Sequence, residues 1–600
     1  MQHNNIPPSH DDNRNVLIAL ALTALVLFGW KFFVSDPEQA RIEAARQMHE
    51  EIARTTAPTD ALIPDAADAG ISSTIAPTRI PSTRHGALTT EPRVRINTPS
   101  LHGSLRLQGL RFDDLTLANY HDTPDPQSPE VVLLTPRLSG EGYFAEFGWV
   151  GSGTQTPDAM TQWHASHEIL TQHQPVTFHW VSPQFVRFEQ EVRIDEHYMF
   201  HITRRVINQS GQPLQLAPYS LINRTLNQEA EQFFILHQGP LGVSDGQLNE
   251  YSYGDLKDGK IMDEQSRGWA GITDKYWLTA LVPDQTSGAF KTSYQHYKTG
   301  QDQRYQIDVL DQAMTISAGE TAEHSIHLFA GAKLVDLLDA YSDTYQIPLF
   351  DRAIDFGSLY FLTRPFFSIL QWLHSYLGNF GLAILALTVL IKTPMYPLAN
   401  KSYASMSQMK LLMPKMTEIR ERFTDDRMRM NQEIMEMYKR EGVNPASGCL
   451  PILIQIPVFF ALYKVLFITI EMRHEPFYGW ISDLSAMDPT NIFTLFGLFP
   501  WGAPSWLHVG AWPLIMMVTM IIQQRLNPKP ADPTQAQVMQ LLPYMFLFLF
   551  ASFPAGLVIY WAWNNSLSVI QQYIITKRYE KLYDKETGKR IGSLPRKKKR

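Results

Sequence analysis

Leu385-Ala-Leu-Thr388-Val-Leu-Ile-Lys392-Thr-Pro394 is the stretch on which the reading of this chain turns. It is apolar enough for a membrane span, yet it carries a lysine one helical turn beyond a threonine. A charge near the bilayer centre costs roughly 2.5–3.5 kcal/mol on insertion scales, so Lys392 should face protein or water. Snorkelling toward the nearby helix end is the simpler alternative. No carboxylate within the apolar runs stands ready to pair with it; Glu471 lies at the far end of another run. The expectation is a wet, polar-lined cavity to which Thr388, Gln455, Gln523, Gln524, Asn564, Asn565 and Ser568 are the candidate contributors. Asn564 and Ser568 share a helical face at i,i+4. Lys464 is a second cation in an apolar run and has no evident partner in the sequence.

Working outward, the apolar runs predict spans at 377–397, 448–472, 511–526, 538–553 and 555–575. Several are short for a hydrocarbon core of about 30 Å, which suggests local thinning or a bundle only partly facing lipid. Ahead of them, 346–376 sets Arg352, Arg364, Gln371 and His374 among Phe, Leu and Trp, the pattern of a helix lying in the interface. The loop 473–510 contains an apolar stretch from Asn491 to His508, broken by Pro500, Gly502 and Pro504, which reads as an interfacial hairpin. Near the start, 16–34 is an apolar run ending in bulky residues and no small-residue cleavage site, so it reads as an uncleaved signal anchor behind a short N-terminus at 1–15.

Between Ser35 and Tyr345 there are 23 Lys+Arg against 40 Asp+Glu, a net of −17, whereas the remainder of the chain is net +10. Two physically different parts share one polypeptide. Residues 35–93 are rich in Ala, Thr, Pro and Ser and read as a linker. Residues 94–345 show short period-two runs between Gly, Pro, Asn and Asp, which predicts a large antiparallel two-sheet domain ending in a helix at 333–345. One cysteine, Cys449, excludes a disulfide framework.

Loop basicity orients the spans. Residues 398–447 carry nine Lys/Arg and 577–600 carry eleven, while 473–490 carry one. The positive-inside rule puts the first two in the cytoplasm, with a short cytoplasmic loop at 527–537. Six spans then place both termini inside and the acidic β domain outside. The segment 398–447 is dense in helix formers of both charges, with Thr424-Asp425-Asp426 as a turn and cap signal, so it reads as a helical hairpin. Met406, Met409 and Met413 are its candidate contact residues, since methionine makes adaptable apolar contacts; simple packing is the competing explanation. The tail Arg596-Lys597-Lys598-Lys599-Arg600 fits ribosomal RNA and anionic lipid equally.

Searches for catalysis find little. His164, His167, His173 and His179 cluster within sixteen residues but lack the spacing of metal sites. There is no phosphate-cradling Gly-rich loop, zinc motif or nucleophile elbow, and no cofactor, metal or enzymatic activity is expected.

Several stretches carry a resemblance: Pro394-Met-Tyr-Pro-Leu398, Leu412-Met-Pro-Lys-Met416, Gly442-Val-Asn-Pro445, Gly448-Cys-Leu-Pro-Ile-Leu-Ile-Gln-Ile-Pro-Val-Phe459, Phe553-Pro-Ala-Gly-Leu557, Asn565 and Gln571-Gln572. In these the chain resembles the YidC/Oxa/Alb family of membrane protein insertases, in its Gram-negative form. The resemblance implies a five-helix core with a hydrophilic groove open to cytoplasm and lipid, and a β-supersandwich as the exported, periplasmic domain. It also implies an inner-membrane location and nascent membrane proteins, the Sec translocon, the ribosome and membrane lipids as partners. The family's groove arginine corresponds to Lys392 here, a departure that keeps the charge and loses the bidentate fork. Trp561 stands where a tyrosine is more familiar. The fold class expected is thus a six-span α-helical membrane protein with a large all-β domain. Its rival in function is a transporter or channel, disfavoured by the absence of an internal repeat and of an intramembrane acid.

Overall fold

The computed structural model describes residues 83–89, 91–226, 236–299, 302–424, 426–443, 450–496, 498–499, 508–527 and 533–580. The signal anchor expected at 16–34, most of the linker, Cys449 and the basic residues Arg596–Arg600 lie outside the described residues.

A short helix, α1 (Arg84–Thr89), precedes strands that form an eleven-stranded and a nine-stranded sheet. In the smaller sheet, Met199–Asn208 lies antiparallel between Val186–Ile194 and Thr321–Ala332. In the larger, Leu214–Leu226 lies antiparallel between Tyr143–Ser152 and Asp302–Asp311. The period-two alternation turns one face of each sheet inward, and the inward faces meet. The Phe112 ring of one sheet stands edge-on to Phe200 of the other at 5.5 Å. Arg204 is buried between the sheets and donates to the carbonyls of Gly148, at 3.0 Å, and Tyr219 across the gap. Its Nη2 lies 2.8 Å from His324 Nδ1, whose other nitrogen is 3.1 Å from Asp311. Burial pushes the guanidinium down to about 10, still charged at neutral pH. His164 and His179 face each other across a strand pair, and no group of three metal-ligating side chains occurs among the described residues.

The helical part follows as α2 (Val335–Thr344), α3 (Tyr360–Leu377), α4 (Phe380–Leu411), α5 (Met413–Arg422), α6 (Arg427–Arg440), α7 (Leu450–Ile468), α8 (Ala511–Leu526), α9 (Pro533–Ala551) and α10 (Ala555–Glu580). Among the described residues only α4 is long and apolar enough to cross a membrane by itself; Gln455–Ile468 and Ala536–Ala551 are shorter apolar stretches. The helices other than α4 fall short of that length and apolarity among the described residues, which show a helical core joined to a β domain. The reason is physical: α8 has 16 residues, or about 24 Å of rise, and the polar residues of α10 dilute its apolar length.

Two boundaries differ from the sequence reading. The helix that holds the span expected at 377–397 runs on to Leu411, with Pro394 and Pro397 inside it. Both prolines are exposed, where their carbonyl partners one turn back need no buried donor. The interfacial helix begins at Tyr360 rather than 346, because Gln346, Leu349 and Gly357 all have positive φ and Pro348 stands between the first two. In α3, Phe361, Trp372 and Tyr376 are exposed.

The β domain meets the helices through polar contacts on a shared apolar core. Lys464, which had no partner in the sequence, ion-pairs with Asp355 at 2.7 Å. The same carboxylate accepts from the His237 N–H of the β domain at 3.1 Å and from the Gly357 N–H at 3.0 Å. Glu471 accepts from the Val335 N–H at the start of α2, and Arg473 donates to the His121 carbonyl at 2.6 Å. Lys275 lies 3.9 Å over the Phe467 ring, and Arg364 pairs with Asp339.

Asp355 is thus the point where α7, the α3 approach and the β domain are tied together. Asp355→Ala is expected to cost about 1–3 kcal/mol, less than a fully buried pair because both side chains keep some solvent. Thermal unfolding of Asp355→Ala, Lys464→Met and the double variant should give a combined loss smaller than the sum. Strict additivity would mean the pair contributes nothing.

Candidate functional site in the seam between α4 and α10

Helices α4 and α10 pack along most of their length, and the character of their contact changes with height. At one end the indole N–H of Trp563 donates to the Leu385 carbonyl at 3.2 Å. Further along, Lys392 Nζ donates to Ser568 Oγ at 2.8 Å, and Ser568 donates to the Asn564 carbonyl at 2.9 Å. Then come Gln571 Nε2 to Asn400 Oδ1 at 3.3 Å and the Ser407–Thr576 hydroxyl pair at 3.1 Å. Gln572 reaches past the seam to Asn527 Oδ1, after the end of α8, at 2.9 Å.

Lys392 has only a neutral hydroxyl as partner and no acid among the described residues. Its helix presents the amine to α10, and Thr388, one turn back, is buried with its hydroxyl turned onto the Ile384 carbonyl at 2.7 Å. Thr388 therefore lies beside the seam without offering it a hydroxyl. Asn564, Asn565, Ser568 and Gln572 are all buried, and Asn565 Nδ2 and Gln572 Oε1 have no partner among the described residues. An unmet buried polar group costs about 1–3 kcal/mol, so this stretch favours a polar occupant.

Four of the candidate residues stand elsewhere. Gln455 on α7 donates to Tyr560 Oη at 2.7 Å, a buried residue that sequence reading passed over. Gln524 donates to the Met539 carbonyl at 2.5 Å and so ties α8 to α9, while Gln523 is half-buried beside it. Trp561 belongs to an aromatic cluster: its ring is 4.5 Å from Phe459, 5.0 Å from Phe550 and 6.2 Å from Phe546. Tyr463 and Phe553 continue the cluster at 5.6 Å. Along α10 the lining thus passes from amides and hydroxyls at 564–576 to the Tyr560 hydroxyl and the edge-on and tilted rings around Trp561.

Beyond the seam, α4 runs into the hairpin. Met406 and Met409 are buried in a small core with Tyr403, Leu412, Met416, Ile434, Met437 and Ile575, and Met413 packs half-buried against it. Their spacing served packing, the competing reading of a methionine stripe. The methionines left exposed are Met428 and Met435, both on α6. Asp426 caps α6 by accepting from the Arg429 N–H at 3.0 Å.

The hairpin is accordingly folded onto the end of α10 by Ile575, with the Asp426 cap holding its turn. Asp426→Ala should lower local stability by about 1 kcal/mol. Amide exchange across α6 should then quicken about fivefold, and unchanged exchange would deny the cap a role.

Two family models match the chain: one described as a 60Kd inner membrane protein, over residues 372–582, and one as the YidC periplasmic domain, over residues 93–369. A membrane protein insertase YidC of Rickettsia bellii is 46% identical over 573 residues, covering 94% of this chain and 98% of that protein. The YidC of Rickettsia felis is 46% identical over 569 residues, covering 94% and 99%. Among solved structures, an active YidC insertase crystal structure with its first transmembrane domain resolved matches at 16% identity and a TM-score of 0.35, covering 81% of this chain and 93% of that one. A galactose mutarotase related enzyme from Lactobacillus acidophilus matches at 9% identity and a TM-score of 0.28, covering 40% and 97%.

Proposed function

Because the chain belongs to the YidC/Oxa/Alb family of membrane protein insertases, we propose that the Lys392 seam receives the hydrophilic segment of an inserting protein. Insertion makes and breaks no covalent bond, so the work is desolvation and orientation. The observation that carries the proposal is a cation in an apolar helix whose partner among the described residues is a serine hydroxyl, beside amide atoms of Asn565 and Gln572 that lack a partner there. Such a cation lowers the cost of bringing an acidic, hydrated segment partway into the membrane, the more so in a reduced local dielectric. The aromatic cluster around Trp561 closes the far end, and the apolar segment leaves along α7 and α9 into lipid.

The arrangement in the membrane is part of the same reading. Residues 16–34, α4, α7, α8, α9 and α10 form six spans, the last five making the insertase core, with both termini cytoplasmic and the β domain periplasmic. The nine basic residues of 398–447 and the eleven of 577–600 support that orientation. The hairpin and the tail, including Arg596–Arg600, would meet the ribosome and anionic lipid, and the lipid-facing side of the core would meet the Sec translocon.

Lys392→Arg should retain function, since the charge is kept. Lys392→Ala should slow insertion of a substrate with an acidic translocated segment about tenfold, or about 1.4 kcal/mol. Lys392→Glu should be worse still for that substrate and milder for a basic one. The measurement is insertion of one substrate in acidic, neutral and basic forms into vesicles. Equal effects of Lys392→Glu on all three would mean that the lysine only snorkels.

Removing residues 581–600 leaves α10 whole and takes away most of the basic tail. Ribosome binding should weaken at low salt, and the difference from the full chain should shrink as salt rises. Unchanged binding at low salt would assign the tail to lipid.

A further inference from the structure

The sequence ahead of α8 carries no charged residue from 489 to 507. Its base is built from polar contacts. Asp488, buried at 1% exposure, accepts from the Trp480 indole at 3.0 Å, from the Thr490 hydroxyl at 2.7 Å and from the Trp512 N–H in the first turn of α8 at 2.8 Å. Asn491 accepts from the Phe493 N–H at 3.1 Å, and the Ile492 N–H bonds the Val509 carbonyl at 3.0 Å. Val509 and Ile492 then pack on Leu514, Met517, Leu547 and Ala551, which fixes the base to α8 and α9.

The tip has the opposite character. Phe496 and Phe499 are each 57% exposed and Leu498 is 82% exposed. Leu495 and Phe496 have φ of 45° and 57°, a left-handed conformation that is costly for bulky side chains. The backbone is held there by the Phe496 N–H on the Asn491 carbonyl at 2.9 Å and the Phe499 N–H on the Thr494 carbonyl at 3.0 Å. Strain that turns large apolar groups outward needs an apolar partner outside the fold. The surface next to it is of the same kind: Ile515, Val518 and Ile522 on α8 and Phe548 and Leu549 on α9 are exposed. Indole and carboxylate at the base with phenyl and leucyl groups at the tip reproduce the layering of a membrane interface.

The geometry points to Phe493, Leu495, Phe496, Leu498 and Phe499 as a wedge inserted among the acyl chains of the extracytoplasmic leaflet. This rests on the reading that α8 and α9 cross the bilayer with this loop outside. The wedge occupies leaflet volume beside α8, whose 16 residues span about 24 Å against a hydrocarbon core of about 30 Å. It thereby supplies apolar surface where the helix is too short to do so.

The test uses the full chain with Cys449→Ser, reconstituted into phosphatidylcholine–phosphatidylglycerol vesicles with and without bromine on the acyl chains. A polarity-sensitive fluorophore is placed in turn on Leu498→Cys, on Phe499→Cys should the first fail to fold, on Val518→Cys of α8 and on Met160→Cys of the β domain. The expected result is blue-shifted emission and bromine quenching at 498 or 499 as strong as at 518, with neither at 160. Water-like emission at both tip positions while 518 is quenched overturns the wedge and leaves the span reading standing. A blue shift at the tip without bromine quenching means a protein contact, such as a second copy, and also overturns it. Absence of quenching at 518 as well overturns both readings.

Discussion

The rest of the helical core is arranged around one constraint: Lys392 holds a cation within an apolar helix, with no carboxylate partner among the described residues. A charge that costs a few kcal/mol to place there is tolerable only where polar groups and water reach it. The side chains of α10 meet that condition, since Ser568 accepts from the amine while Asn564, Asn565 and Gln572 keep the neighbourhood polar. An acid in the same place would have satisfied the lysine permanently and left nothing for a substrate. A partner that is merely a hydroxyl leaves most of the cation's field unanswered. On the proposed reading, that residual field is what a passing acidic segment meets.

The same logic accounts for the other cation. Lys464 is fully engaged by Asp355, and that pair is structural: it sets the end of α7 against the β domain, with the His237 N–H on the same carboxylate. Two lysines in apolar helices therefore have two fates decided by their partners. The contacts of Glu471, Arg473 and Lys275 make the β domain a body braced on the helices.

Much of this was legible in the sequence, and for physical reasons. The cost of a lone charge singled out Lys392, and the i,i+4 spacing put Asn564 and Ser568 on one face. Period-two alternation made the β domain readable, because each sheet buries one face. What could not be read were pairings between distant segments. Asp355 stands 109 residues before Lys464, in a segment whose amphipathic pattern spoke only of an interface. Trp561 shares the helical stripe of Asn564 and Asn565, yet the rings of Phe459 and Phe550, from two other helices, set it in an aromatic cluster. The reach of α4 past Pro394 and Pro397 to Leu411 was likewise not readable, since proline more often ends a helix than sits inside one.

The central claim is that the polar stretch and the aromatic cluster handle different parts of one substrate. Site-specific photocrosslinking tests it directly, with a benzophenone amino acid at Ser568 or at Trp561 and a stalled nascent chain bearing an acidic flank and an apolar segment. The account predicts that the probe at 568 captures the acidic flank and that the probe at 561 captures the apolar segment. Capture of the apolar segment at both positions, or of neither part at 568, would contradict it.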